Sequence, residues 1–201
     1  MSSIAEKAVM SSLASLLGAV ARVAALLGPR FARRYAVKIE RNIVVPTWDA
    51  KTTTLDVYTP TKGEKPVQGW PVALVIHGGG FGFFSKDSHA TIAAKIAESG
   101  YLTVAMNYRL TPANPFPLGL IDVLSTYEWT AKEAKNFNGN FQDLVIVGES
   151  AGANFALGLS LIACKLADAP IFPEKRKTFS WVIPQKLVLH CGYHQVSGVD
   201  V

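Results

Sequence analysis

A serine flanked by glycines follows a short apolar segment in the last third of this chain. The apolar residues 144–147 lead into Gly-Glu-Ser-Ala-Gly at 148–152, and a helix-forming stretch comes next. A strand, a Gly-x-Ser-x-Gly turn and a helix in this order present a serine hydroxyl at a sharp bend. Glycines at both ends leave room for that bend. A free serine hydroxyl is a poor nucleophile near neutral pH and needs an adjacent base. The pattern predicts acyl transfer through Ser150.

A glycine tract forms the second candidate element. His-Gly-Gly-Gly-Phe at 77–81 follows the apolar run 72–76, so it is also expected at the end of a strand. Consecutive glycines let the backbone come close to a ligand with its N–H groups exposed. An oxyanion hole needs such donors, because they must meet a charge that appears only in the tetrahedral state. Together with the serine turn downstream, the tract favours a catalytic interpretation over a flexible loop.

The order of motifs resembles the hormone-sensitive-lipase-like branch of the α/β-hydrolase esterases. Between the glycine tract and the serine turn lie Asn-Tyr-Arg-Leu at 107–110 and Pro-Phe-Pro at 115–117, which leads into a helix containing Asp122. The resemblance extends over roughly residues 40–195. It implies a serine carboxylic-ester hydrolase that acts on small-molecule esters with short to medium acyl chains. It implies no metal and no organic cofactor.

The same resemblance assigns roles to individual residues. Ser150 corresponds to the nucleophile, and the backbone N–H groups of Gly79, Gly80 and Ala151 correspond to the oxyanion donors. The histidine of the His-Gly-Gly-Gly block is structural in members with this tract, so His77 is not expected to be the base.

The chain departs from the family pattern at two members of the catalytic triad, the acid and the histidine that activate the serine. Members carry the acid after a later strand, commonly in an Asp-Pro-Leu-like block, and the histidine near the end of the chain; neither block occurs here. The histidines present include His89, after the glycine tract, and His190, expected as a partly buried strand residue. Some lipases place their acid after this strand, so Asp200 is a candidate for a relocated acid, and a relocated base at His194 is the weaker alternative.

Two functional hypotheses therefore stay open. In the first, the chain is a C-terminally incomplete esterase whose acid and base lie beyond Val201. In the second, it is a short non-catalytic product or a binding module that keeps an acyl pocket. An enzyme that loses a triad member keeps a rate enhancement of only roughly 10³–10⁴ relative to the reaction in water. The truncated chain is therefore expected to be inactive or nearly so.

An α/β fold is predicted, with a doubly wound, mostly parallel sheet that lacks the last strands and helix. Continuous apolar runs are typical of parallel strands covered on both faces. Residues 1–35 are expected to form an amphipathic N-terminal helix and residues 36–201 a partial hydrolase domain. The predicted strands are 37–45, 53–58, 72–76, 102–106, 144–147 and 186–189, and the predicted helices are 88–99, 117–134 and 151–167.

The N-terminal segment admits three interpretations. Resemblance to the family suggests a lid helix over the acyl pocket, composition allows a membrane anchor, and a cleaved signal peptide is possible. Arg22 and a serine-rich opposite face argue against a spanning helix. A lid or an interfacial helix is favoured, with peripheral membrane contact through residues 8–27. The apolar stripe consists of Val9, Leu13, Leu16, Leu17, Val20, Val23 and Leu27.

Composition sets modest bounds on partners and compartment. Twenty Lys and Arg exceed fifteen Asp and Glu, a balance compatible with anionic membrane surfaces. The basic run 175–177 is too short to indicate nucleic-acid binding. Cys164 and Cys191 do not form a disulfide framework, and no metal-ligand spacing occurs. A cytoplasmic or membrane-associated location is favoured over secretion, and the oligomeric state is left open.

Overall fold

The structure is a computed structural model that describes residues 4–164 and 181–190. Within these ranges a six-stranded sheet carries helices on both faces. The helices are α1 (Ile4–Ala32), α2 (Ala90–Glu98), α3 (Leu118–Glu133) and α4 (Ala151–Ala163). The strands are β1 (Val37–Pro46), β2 (Thr52–Pro60), β3 (Trp70–Ile76), β4 (Leu102–Met106), β5 (Gly139–Glu149) and β6 (Lys186–His190).

The sheet has the order β1-β2-β4-β3-β5-β6. The four strands from β4 to β6 pair in parallel, whereas β2 runs antiparallel to both of its neighbours. The prediction of an α/β fold with a mostly parallel sheet is confirmed. Parallel strands end at one edge, where ligands bind in this class of fold. Ile76 of β3 pairs with Gly148 of β5, so the glycine tract and the serine turn leave the sheet side by side.

The two faces of the sheet are covered in different ways. On one face, α3 and α4 bury large side chains such as Tyr127 and Leu159 against Leu74 and Ile146. On the other face, the fully buried residues of α2 are alanines, among them Ala93 and Ala97, and Ile96 packs beside them. Small side chains let α2 lie close to the sheet.

Several element boundaries differ from the sequence prediction. The strand predicted at 144–147 spans Gly139–Glu149, because a register shift at Pro71/Val72 lets its first residues pair with Trp70 and Pro71. The helix predicted at 117–134 ends at Glu133 and continues as a 3₁₀ turn, Ala134–Phe137. Asn138 closes that turn with a left-handed φ of 60°. The helix predicted at 151–167 ends at Ala163, and residues 165–167 lie outside the described residues.

Helix α1 meets the rest of the domain mainly at α2. From Ser11 onward its buried residues are Gly28 and Ala32, and the Gly28 carbonyl accepts a hydrogen bond from Thr91 Oγ1 at 3.4 Å. The predicted apolar stripe is largely exposed to solvent from Leu13 onward. The stretch Ser11–Ala32 has a mean hydropathy of 1.6 and is long and apolar enough to cross a membrane by length and composition. A signal sequence would pass the same test.

Candidate active site

Ser150 occupies the bend between β5 and α4. Its φ and ψ of 50° and −114° lie in a region that L-residues rarely adopt, and its side chain makes no helix-capping hydrogen bond. The backbone N–H of Ser150 donates to the His190 carbonyl of β6 at 2.7 Å. The strained conformation is thus held by the neighbouring strand, and the half-buried side chain stands clear of the helix.

The glycines on either side of Ser150 are required by close backbone approaches. A Cβ on Gly152 would lie 2.1 Å from the Ile76 carbonyl oxygen and 2.5 Å from that of His77. A Cβ on Gly148 would lie 2.5 Å from the Gly152 carbonyl oxygen. All three distances are far below van der Waals contact, and those at Gly152 show that the serine turn packs directly on the end of β3.

Replacing Ser150 by glycine is predicted to stabilise the fold. Glycine accepts a positive φ without the steric cost that a side chain incurs, and no capping bond is lost. We expect the free energy of unfolding to rise by about 1 kcal/mol, allowing for the greater entropy of glycine in the unfolded chain. Urea unfolding of Ser150→Gly beside Ser150→Ala measures this, since alanine keeps the strain. Equal stability of the two variants would contradict a strained turn.

The glycine tract forms a tight turn next to Ser150. Gly79 and Gly80 have φ values of 113° and 58°, and the Gly79 carbonyl accepts from the Phe83 N–H at 2.9 Å. A Cβ on Gly79 would lie 2.2 Å from the Phe83 carbonyl oxygen, whereas Gly80 faces open space. Within the described residues, no acceptor engages the N–H groups of Gly79, Gly80 or Ala151. These N–H groups are therefore available to a ligand.

His77 lies beneath this turn and is 2% exposed. Its Nδ1 donates to the Gly78 carbonyl at 2.8 Å, and its ring stacks on Tyr108 with centroids 4.2 Å apart. The Tyr108 hydroxyl in turn donates to the His77 carbonyl at 3.0 Å. Burial, with a smaller contribution from nearby His89, lowers the pKa of His77 from 6.5 to about 3 against the opposing effect of the Gly78 hydrogen bond. His77 is therefore neutral at neutral pH.

The lowered pKa of His77 predicts a loss of stability in acid. Between pH 6.5 and about 3 the unfolded chain binds a proton at this residue that the folded chain does not. Stability therefore falls as pH decreases through this window, by at most about 1.4 kcal/mol per pH unit. Unfolding curves of the wild type and His77→Phe from pH 6 to pH 4 isolate this contribution, because all other titratable groups are common to both proteins. If the free energy of unfolding fell equally with pH in both, the lowered pKa of His77 would be contradicted.

His89 engages the residue that precedes the serine. Its Nε2 lies 2.6 Å from Glu149 Oε2, and its Nδ1 lies 2.9 Å from Ser88 Oγ. The Glu149 carboxylate also lies against Gly78, whose Cβ would be 2.8 Å from Oε2. This pair joins the start of α2, the glycine tract and the serine turn. Sequence reasoning did not find it, because the partners are 60 residues apart.

No side chain within residues 4–164 and 181–190 hydrogen-bonds the Ser150 hydroxyl, so no base contacts it there. His190 ends β6 and is exposed, so the expectation of partial burial was wrong: β6 pairs only with β5 among the described strands, and its alternate residues face outward. His194, Asp200, Cys191 and the basic run 175–177 lie outside the described residues.

The Asn-Tyr-Arg-Leu block is held by buried ion pairs. Asp122 of α3 is fully buried and accepts from the backbone N–H of Arg109 at 2.7 Å and from its Nε at 2.9 Å. Asp49 binds the other side of the guanidinium, with Oδ2 2.7 Å from Nη1. The hydrogen bond to Asp122 raises the pKa of Arg109, so its charge is permanent. This network positions the adjacent Tyr108, which supports His77.

A buried lysine fastens the loop between the glycine tract and α2. Lys86 is 1% exposed, and its Nζ lies 2.8 Å from Asp56 Oδ1 and 3.1 Å from Asp87 Oδ1. Its Nζ also donates to Asn42 Oδ1 at 2.8 Å. Buried charges are tolerated when they are paired in this way. Nothing in the local sequence distinguishes Lys86 from an ordinary surface lysine.

Two surface grooves of the described residues lie away from the serine turn. Two grooves of about 270 and 370 Å³ run between α1 and β1, and neither is lined by Ser150 or the glycine tract. Among the described residues, no group of three or more His, Cys, Asp or Glu side chains could hold a metal ion.

Comparisons with known proteins agree with this fold. A family described as alpha/beta hydrolase fold matches residues 73–197. Ethyl acetate hydrolase of Pseudomonas putida is 31% identical over 127 residues, which are 63% of this chain and 39% of that protein. Versiconal hemiacetal acetate esterase of Dothistroma septosporum is 32% identical over 151 residues, 74% of this chain and 44% of its own length.

Among solved structures, a brefeldin A esterase described as a bacterial homologue of human hormone sensitive lipase superposes with a TM-score of 0.58. It is 26% identical, and the superposition covers 66% of this chain and 37% of that one. The chain thus spans less than half the length of these relatives.

Proposed function

The chain belongs to the α/β-hydrolase fold family, in its hormone-sensitive-lipase-like branch of carboxylesterases, and from this membership we propose that it hydrolyses carboxylic esters through Ser150. The observation that carries the proposal is the strained serine turn, packed on β3 beside N–H groups that have no acceptor among the described residues. Strain of this kind persists only where the surrounding structure enforces it, and it clusters at functional sites.

The reaction follows from these groups. Ser150 Oγ attacks the ester carbonyl carbon and gives up its proton to a base. The N–H groups of Gly79, Gly80 and Ala151 stabilise the negative charge that develops on the carbonyl oxygen. The C–O bond to the alcohol breaks, the alcohol leaves with a proton, and an acyl-serine remains. Water then adds to that ester and releases the carboxylic acid and free Ser150. None of these steps requires a metal or an organic cofactor.

The base and the acid are proposed to lie beyond Val201. Without them, the hydroxyl of Ser150 keeps its proton near neutral pH. The oxyanion donors and substrate binding alone accelerate the reaction by only about 10³–10⁴ relative to its rate in water. The 201-residue chain by itself is accordingly proposed to be nearly inactive as an esterase.

The substrate class is a small-molecule acyl ester. The names of the two curated relatives refer to acetate esters, which supports a short acyl group here. Phe155 packs edge-on to Phe81 and Tyr108, at centroid distances of 5.2 and 4.8 Å, so the surface beside the glycine tract is aromatic and apolar. Such a surface binds an apolar acyl chain better than it binds a charged group.

Hydrolysis of p-nitrophenyl acetate tests the proposal. The 201-residue chain should hydrolyse it slowly, and added imidazole should accelerate the reaction by acting as the missing base. Ser150→Ala should lose the basal rate. With imidazole added, it should hydrolyse the ester no faster than imidazole does in buffer without protein. Identical rates for the two proteins would favour a non-catalytic binding module. A fast reaction lost in His194→Ala would keep Ser150 as nucleophile and refute the proposed inactivity.

A further inference from the structure

Helix α1 packs on the domain through its small residues. Gly18, Ala21, Ala25, Gly28 and Ala32 lie on one side of the helix and are all at least partly buried. The approach is closest at Gly28, where a Cβ would lie 2.0 Å from the Asp87 carbonyl oxygen and 3.6 Å from Ala90 Cβ. Small side chains at this contact fix which side of the helix faces the domain.

The opposite side of α1 carries the large apolar residues and faces solvent. Leu16, Val23 and Leu26 are 63%, 55% and 70% exposed. A surface helix of a water-soluble domain normally has the reverse arrangement, with large apolar residues inward. A set of large apolar side chains exposed together on one side of a helix marks a contact with a protein or a membrane. We call it the apolar face of α1; its members are Leu13, Leu16, Leu17, Val20, Val23, Leu26, Leu27 and Phe31.

Arginines line one edge of this apolar face. Arg22, Arg30 and Arg33 are exposed, and within the described residues no carboxylate pairs with any of them. Arg30 and Arg33 also line the groove of about 370 Å³ between α1 and β1. The acidic residue in that groove, Asp87, is already paired with Arg41 and Lys86. The groove therefore offers positive charge without an internal counter-ion for Arg30 or Arg33.

We propose that α1 docks the protein on an anionic lipid bilayer, with its apolar face in the acyl region and its arginine edge at the level of the lipid phosphates. Apolar area and attraction to anionic headgroups act together in such interfacial helices. The helix lies along the surface, because Gly28 and Ala32 stay packed on the domain and Arg22 interrupts the apolar segment. Docking does not depend on Ser150 and stands apart from the esterase proposal.

Flotation of the 201-residue chain with vesicles tests the docking. Vesicles of phosphatidylcholine with about 30% phosphatidylglycerol should bind the chain at least about tenfold more tightly than phosphatidylcholine alone. Leu16→Glu/Val23→Glu should abolish binding. Val67→Glu/Ile183→Glu is the matched control, since both residues are exposed and lie off α1, and it should bind at least half as well as the wild type. Arg30→Gln/Arg33→Gln should weaken binding to anionic vesicles by at least about tenfold.

Other outcomes would overturn the proposal. These are absence of binding to anionic vesicles, equal binding to both lipid mixtures, or equal loss in the control variant. Light scattering that shows a dimer broken by Leu16→Glu/Val23→Glu would assign the apolar face to a second copy of the chain. A lowered unfolding midpoint of that variant without vesicles would show that another part of the chain covers the face.

Discussion

Gly152→Ala is expected to lower the free energy of unfolding by about 3 kcal/mol and to displace Ser150. The new methyl group would meet the carbonyl oxygens of Ile76 and His77 at 2.1 and 2.5 Å, and both belong to backbone that cannot rotate away. Relief of this clash requires α4 to move off the end of β3, which separates the serine turn from the glycine tract. Urea unfolding measures the stability, and Ser150-dependent hydrolysis with imidazole measures the displacement.

Gly158→Ala provides the matched control in the same helix. A Cβ at Gly158 would contact nothing within 4 Å, so only the helix propensity changes. That variant should gain about 0.5–1 kcal/mol of stability. Equal effects of the two substitutions would show that Gly152 is not in close contact with β3.

Asp122→Ala is expected to cost about 3–5 kcal/mol of stability. It removes the acceptor for the backbone N–H and the Nε of Arg109 and leaves a largely buried guanidinium with Asp49 as its remaining acidic partner. Loss of one partner of a buried pair is costly because the other charge stays desolvated. Chemical unfolding at neutral pH gives the value, and a loss within 1 kcal/mol would contradict the role of the pair.

Glu40→Ala is the appropriate control for that loss. Glu40 pairs with Lys38 at 2.9 Å, but their side chains are 40% and 69% exposed. Solvent screens such a pair, and its removal should change stability by about 0–1 kcal/mol. The contrast separates the effect of burial from the effect of removing any carboxylate.

The parts of the site that follow from local chemistry could be predicted from the sequence. A strand, a bend and a helix at 148–152 require glycines beside the serine whatever surrounds them, and the structure places Gly148 and Gly152 in close backbone contacts. The mostly parallel sheet followed from the continuous apolar runs. Boundaries were less certain, as at β5, because its first residues depend on a bulge in its pairing with β3.

The supporting contacts could not be predicted, because tertiary packing creates them. The partner of His89 is a glutamate 60 residues away, and Lys86 is buried only because Asp56 and Asn42 converge on it from distant strands. The outward orientation of the apolar face of α1 is a further example. Periodicity identified the stripe, but the buried side is decided by the close approach of Gly28 to the Asp87 carbonyl.

Labelling with a fluorophosphonate tests most directly whether Ser150 is the nucleophile. Attack of Ser150 Oγ on phosphorus expels fluoride and leaves a stable phosphonate ester that mass spectrometry locates within the chain. We predict that the folded chain is labelled at Ser150, faster than at its other serines, and that the urea-unfolded chain and Ser150→Ala lack this selectivity. A folded chain in which Ser150 reacts no faster than its other serines would show that Ser150 is not the nucleophile.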